Sequence, residues 1–105
     1  IAMRVPVPDG SVVDFNVQLD ANVTVDQINE AVREASMNGS LKGILEYSTL
    51  PVVSSDIIGN SHSSIFDAPF TRVIGGNYVK TLNWYDNEWG YSNRMVDLVD
   101  LIAKI

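Results

Sequence analysis

Three observations predict an α+β fold: a mixed, mostly antiparallel sheet with helices on one face, plus a C-terminal helix. Apolar and polar residues alternate over two early stretches, Ile1 to Val7 and Ser11 to Leu19, the period of strands with one buried face. A capping-box sequence, Thr24-Val25-Asp26-Gln27, opens a helix mid-chain. A strand-like run, Tyr78 to Tyr85, then gives way to a helix-like run ending at Ile105. Strands joined through helices are parallel and hairpins are antiparallel, so the sheet is mixed.

Pro8-Asp9-Gly10 reads as a three-residue hairpin loop between the first two strands, with Pro pre-setting the turn and Gly taking the left-handed position. This loop places Met3 opposite Phe15 and Val5 opposite Val13 on the core side, and Arg4 opposite Asp14 on the polar side. Pro6 has no N–H, so it cannot pair on both sides. Thr24 is the N-cap of the next helix and Gln27 its third residue, while Val23 and Ile28 have hydrophobic-staple spacing. Ile28, Ala31, Val32 and Ala35 form its apolar stripe. Asn38-Gly39 ends it, since glycine tolerates the left-handed C-cap.

Strands are expected over Leu41–Tyr47, over the apolar and β-branched run Val52–Ile58, and over Ser64–Ala68 and Phe70–Ile74, the last two broken at Pro69. Gly59 to Ser63 reads as a loop and Gly75-Gly76-Asn77 as a turn before the strand Tyr78–Tyr85. The last helix runs from about Asn87 to Lys104. Its polar stripe is Asn93, Asp97, Asp100 and Lys104, and most of the remaining circumference is apolar, so it calls for neighbours on two sides.

The chain has 105 residues, one domain's worth or part of one, and 46% are apolar, enough for a packed core. A formal net charge of −6 argues against general affinity for nucleic acid or anionic membrane. No apolar run has the length of a membrane span, and Ile1-Ala2-Met3-Arg4 lacks the features of a signal peptide. With no cysteine, these residues offer no disulfide, thiolate metal ligand or cysteine nucleophile, which fits a cytoplasmic protein. No metal-ligand spacing occurs. His62, the only histidine, sits among serines in a loop and reads as a turn residue, not a triad member. Gly75-Gly76-Asn77 lacks the strand-glycine-helix context of a phosphate loop. Asp97 and Asp100 read as a solvated face.

Chemistry concentrates in Trp84-Tyr85-Asp86-Asn87-Glu88-Trp89-Gly90-Tyr91-Ser92, at the strand-to-helix corner. Asp86 or Asn87 is suited to cap the last helix, and Asp86 and Glu88 put negative charge at the positive end of its dipole. On the residues alone, Arg4 is a cross-strand partner of Asp14, Asn87 a helix cap and Tyr91 an amphipathic core aromatic.

This corner resembles the signature near the C-terminus of phosphorylating glyceraldehyde-3-phosphate dehydrogenases. Arg4-Val5-Pro6-Val7-Pro8, Ser11-Val12-Val13-Asp14, Leu41-Lys42-Gly43-Ile44-Leu45, Ser61 to Ala68, and Asn93 to Leu98 resemble further blocks of that family, in the same order. Family members are roughly three times as long, so the resemblance is to their C-terminal third. It implies that residues 1–86 are part of the catalytic (substrate) domain. It implies that residues 87–105 are a C-terminal helix packing on an NAD-binding domain outside this chain. Arg4 matches the arginine that helps bind the C3 phosphate of glyceraldehyde 3-phosphate. Asn87 matches the asparagine that holds the nicotinamide carboxamide, and Tyr91 the tyrosine that lies against the ring. The cofactor implied is NAD, with NADP left open, and the assembly implied is a homotetramer. In the family a cysteine thiolate forms a hemithioacetal with the aldehyde. A histidine assists, hydride passes to NAD, and inorganic phosphate cleaves the resulting thioester. That cysteine, that histidine and the dinucleotide-binding glycines would precede Ile1, so the isolated chain is expected to be inactive, with no catalytic residue of its own. Two other readings stay open: a fragment of the erythrose-4-phosphate dehydrogenase paralogue, or a non-catalytic acidic interaction module.

Overall fold

The computed structural model describes residues 1–105. Its centre is β5, Tyr78–Tyr85. β5 pairs antiparallel along its whole length with β1, Ser11–Gln18, in the register Ser11↔Tyr85 to Gln18↔Tyr78. Its other edge is shared end to end by β3, Ser64–Asp67, and β4, Arg72–Ile74, both antiparallel to it. β2, Leu45–Ser48, lies outside β3 and is parallel to it. The sheet is therefore mixed and mostly antiparallel, and three helices accompany it: α1 Val25–Met37, the single turn α2 Ser54–Ile57, and α3 Trp89–Ala103. The α+β expectation holds.

Local chemistry explains the elements that match. Thr24 accepts from the Gln27 N–H at 3.1 Å while the Gln27 side chain accepts from the Thr24 N–H at 2.9 Å, so two orphan donors of α1 are satisfied reciprocally. α1 stops at Met37, and Gly39 takes φ +72° in the 3-10 turn Gly39–Leu41 that follows. The Gly75-Gly76 turn is pinned to the loop before α1: the Val23 N–H donates to the Gly76 carbonyl at 2.8 Å. The Asn77 amide likewise donates to the Leu19 carbonyl at 3.1 Å.

Three expectations are corrected. Residues 1–10 form no strand, and no hairpin joins them to β1. Pro6 and Pro8 remove two ladder donors, and β1 finds its long partner in β5 instead. The Arg4–Asp14 pair is accordingly absent; Asp14 pairs with Lys80 from β5, whose ammonium holds the carboxylate below its usual pKa. Val52–Ile58 is not a strand but carries α2, because the Asp56 carboxylate folds back onto the Val53 N–H at 2.8 Å and nucleates a turn. The strand expected from Leu41 begins only at Leu45, after the 3-10 turn.

One sheet face carries Val17, Val79, Thr81, Phe66 and Tyr47, with the Tyr47 and Phe66 rings stacked at 5.9 Å. Ile28 and Val32 of α1 lie over it across a cavity of about 340 Å³. On the other face the Trp84 indole N–H donates to Asp67 Oδ2 at 2.9 Å, leaving the fully buried Asp67 Oδ1 without a partner. Only 11 of 105 residues are buried, and the radius of gyration is 15.1 Å, against about 13 Å for a self-contained domain of this length. The large apolar side chains of α3, among them Met95, Val99 and Ile102, are exposed; only Gly90 in that helix is buried. No helix is long and apolar enough to cross a membrane.

Candidate functional site

Between the end of β5 and the start of α3, the chain turns on Asp86. One carboxylate oxygen accepts from the N–H groups of Glu88 at 2.9 Å and Trp89 at 2.8 Å. The other accepts from Gly59 N–H at 2.8 Å, and the Asp86 carbonyl accepts from Gly90 N–H at 3.1 Å. Of the two candidate caps, Asp86 is therefore the one used. It is 2% exposed. Burial alone would raise its pKa, but the N–H bonds from Trp89, Gly59 and Glu88 prevail and bring it down to about 2. Asp9, facing the same corner, is shifted upward by burial and by the neighbouring Asp86 and Glu88 charges, against the Gly10 N–H.

With the cap supplied by Asp86, the Asn87 side chain is free to reach across the fold. Its Oδ1 accepts from the Gly10 N–H at 3.1 Å and from the Ser11 hydroxyl at 3.2 Å. A backbone N–H only donates, so the amide must turn its oxygen to this loop. Its Nδ2 has no partner within the chain. Gly10 takes φ +96°, and its N–H also contacts Asp9 Oδ1 at 2.8 Å.

Tyr91, in the first turn of α3, is 68% exposed. Its helix is seated by Gly90, where an added Cβ would lie 3.0 Å from the His62 carbonyl oxygen, and by Arg94, which donates to the Ser63 hydroxyl at 3.1 Å. His62 itself bonds inward: its Nδ1 lies 2.8 Å from Asn60 Oδ1 and 3.0 Å from Glu46 Oε2. This is the structural loop role expected for it. Replacing a helical glycine by alanine normally stabilises by about 1 kcal/mol. Gly90→Ala is expected to lose that gain and cost on the order of 1 kcal/mol net, because the methyl meets a backbone oxygen; urea unfolding of the variant measures this.

Arg4 is exposed and makes no hydrogen bond or ion pair within the chain. Gly10, which touches Asn87, is six positions further along the chain, so the Arg4 and Gly10 Cα atoms are at most roughly 20 Å apart. The structure thus joins Asn87 to the loop that follows Arg4 and sets Tyr91 one turn along the same corner. Direct contact between Arg4 and either residue is absent. No cluster of metal-binding side chains occurs. Sequence reasoning missed the links from Gly10, Ser11 and Gly59 into the corner. Its only available signals were the Pro8-Asp9-Gly10 turn and the loop beginning at Gly59, which were legible as local features alone.

Comparison with known proteins bears on this corner. The family model described as glyceraldehyde 3-phosphate dehydrogenase, C-terminal domain, matches residues 1–87. The chain belongs to this family. Glyceraldehyde-3-phosphate dehydrogenase of Mycobacterium bovis (strain BCG / Pasteur 1173P2) is 55% identical over 103 residues, covering 98% of this chain and 30% of that protein. The protein of the same name from Mycobacterium tuberculosis (strain ATCC 25618 / H37Rv) matches to the same extent, at 55% identity over 98% of this chain and 30% of its own length. Glyceraldehyde-3-phosphate dehydrogenase 2 of Synechocystis sp. is 53% identical over 104 residues, covering 99% of this chain and 31% of that protein. The chain thus spans about a third of the length of these curated relatives. The matched family region includes Arg4 and Asn87 and ends before Tyr91.

Proposed function

We propose that this chain is the C-terminal part of a glycolytic oxidoreductase. The reaction is oxidation of glyceraldehyde 3-phosphate to 1,3-bisphosphoglycerate with NAD and inorganic phosphate. In this reading Arg4 binds the substrate phosphate through its planar guanidinium, Asn87 holds the nicotinamide carboxamide, and Tyr91 lies against the ring. NAD would supply the hydride acceptor. The nucleophilic cysteine, its histidine and the dinucleotide-binding domain lie in polypeptide preceding Ile1. The exposed apolar side of α3 packs on that domain, and the whole assembles as a cytoplasmic homotetramer.

The observation that carries this reading is the bond from the Gly10–Ser11 loop to Asn87. It ties the segment bearing the phosphate-binding candidate to the corner bearing the cofactor-binding candidates. An unengaged Asn87 Nδ2, an exposed Tyr91 and an unpaired Arg4 are side chains available to ligands. The test is NADH formation by the full-length polypeptide with glyceraldehyde 3-phosphate and phosphate. Arg4→Ala is expected to raise KM for the aldehyde, and Asn87→Ala KM for NAD, each by about tenfold, the scale of a lost charge-assisted or well-aligned hydrogen bond. Unchanged constants in both variants would overturn the assignments. The chain of residues 1–105 alone is expected to form no NADH.

A further inference from the structure

We infer that Ser11 is a positioning residue: its hydroxyl holds the Asn87 amide at the loop, where the Gly10 N–H keeps the oxygen inward, so that Asn87 meets the nicotinamide carboxamide as a hydrogen-bond donor. This rests on the cofactor-binding reading of Asn87 given above. Asn87 Oδ1 has two lone pairs and two donors, Gly10 N–H at 3.1 Å and Ser11 Oγ at 3.2 Å. Flipping the amide would set Nδ2 against the Gly10 N–H, donor against donor. Ser11 is the first residue of β1 and is held opposite Tyr85 by the ladder, whereas Asn87 sits between β5 and α3. The sheet therefore fixes Ser11, the Ser11 hydroxyl holds the amide in place, and the Gly10 N–H sets which end faces the loop. What remains for a ligand is Nδ2 with its two hydrogens. Such a donor reads the carbonyl half of a carboxamide and is indifferent to its NH2 half.

The full-length enzyme tests this with NAD and its 3-acetylpyridine analogue, which keeps the carbonyl but replaces the NH2 group by methyl. Ser11→Ala is expected to raise KM for NAD about two- to tenfold, the range of one net hydrogen bond, with KM for the aldehyde unchanged. KM for the analogue is expected to rise by the same factor, because the Gly10 N–H still keeps Oδ1 at the loop and Nδ2 reads only the carbonyl that both cofactors carry. Ser11→Thr keeps the hydroxyl and should restore both values. The inference is overturned if Ser11→Ala matches the parent enzyme, if threonine does not rescue it, or if NAD and the analogue weaken by different factors. Asn87→Ala separates the two levels. If it weakens NAD binding while Ser11→Ala does nothing, only the positioning role fails. If it leaves NAD binding intact, the cofactor reading fails and this inference with it.

Discussion

Asp86→Ala is expected to cost roughly 3 kcal/mol or more and to detach the corner from its loop, because three N–H groups lose a charged acceptor at a buried site. The groups are those of Gly59, Glu88 and Trp89. The first anchors the loop after α2, and the other two start α3, so one truncation loosens both. Asp86→Asn is expected to recover only part of the loss, since an amide offers one acceptor oxygen where the carboxylate uses two. The same carboxylate makes stability depend on acid. Its folded pKa is about 2, below its unfolded value. The stabilisation it supplies is therefore complete above about pH 4 and is lost as pH falls towards 2. Asp9 has the opposite shift, upward, so it favours the fold on the acid side and blunts the start of this decline. Urea unfolding from pH 2 to 6 should show the midpoint falling at the acid end. Asp86→Ala should flatten that limb, and an equally steep limb in the variant would refute the assignment.

Gly10→Ala is the second large effect, about 2–4 kcal/mol, combining two costs. A Cβ at φ +96° brings a backbone penalty of about 1–2 kcal/mol. It would also lie 3.1 Å from the Ser54 carbonyl oxygen and 3.3 Å from Ile57 Cδ1, so relieving the overlap moves the loop off α2. The Gly10 N–H and the Ser11 hydroxyl travel with it, and Asn87 loses both donors. Thermal unfolding of the variant reports the first consequence. In the full-length enzyme, KM for NAD should rise further than with Ser11→Ala. A variant with the parent's melting temperature and KM would contradict this account of the loop.

Much of the architecture was legible because its determinants are local. The Thr24–Gln27 box closes within four residues, and the strand-like run Tyr78–Tyr85 marks a strand wherever its partners lie. Failures arose where the partner is distant. Ser11–Leu19 reads as one arm of a hairpin, but β1 pairs with a strand whose residues follow some seventy positions later, as in Ser11↔Tyr85. That pairing gives Asp14 to Lys80 and leaves Arg4 unpaired. Val52–Ile58 has the β-branched composition of a strand, yet one short bond from Asp56 to the Val53 N–H makes it a helical turn. At the corner, sequence narrows the cap to two neighbouring residues. The choice between them depends on Gly59, Gly10 and Ser11, which sequence spacing does not connect to it.

The central place of β5 has a further consequence for how the molecule comes into being. β1, β3 and β4 each find their antiparallel partner only in β5, so a nascent chain emerging from the ribosome must wait until Tyr85 is made before the sheet exists. Until then it holds little beyond α1 and the parallel pair of β2 and β3. Closure of such long loops is slow, and a polypeptide stopped anywhere before Tyr78 would carry the strands of a sheet with nothing to join them.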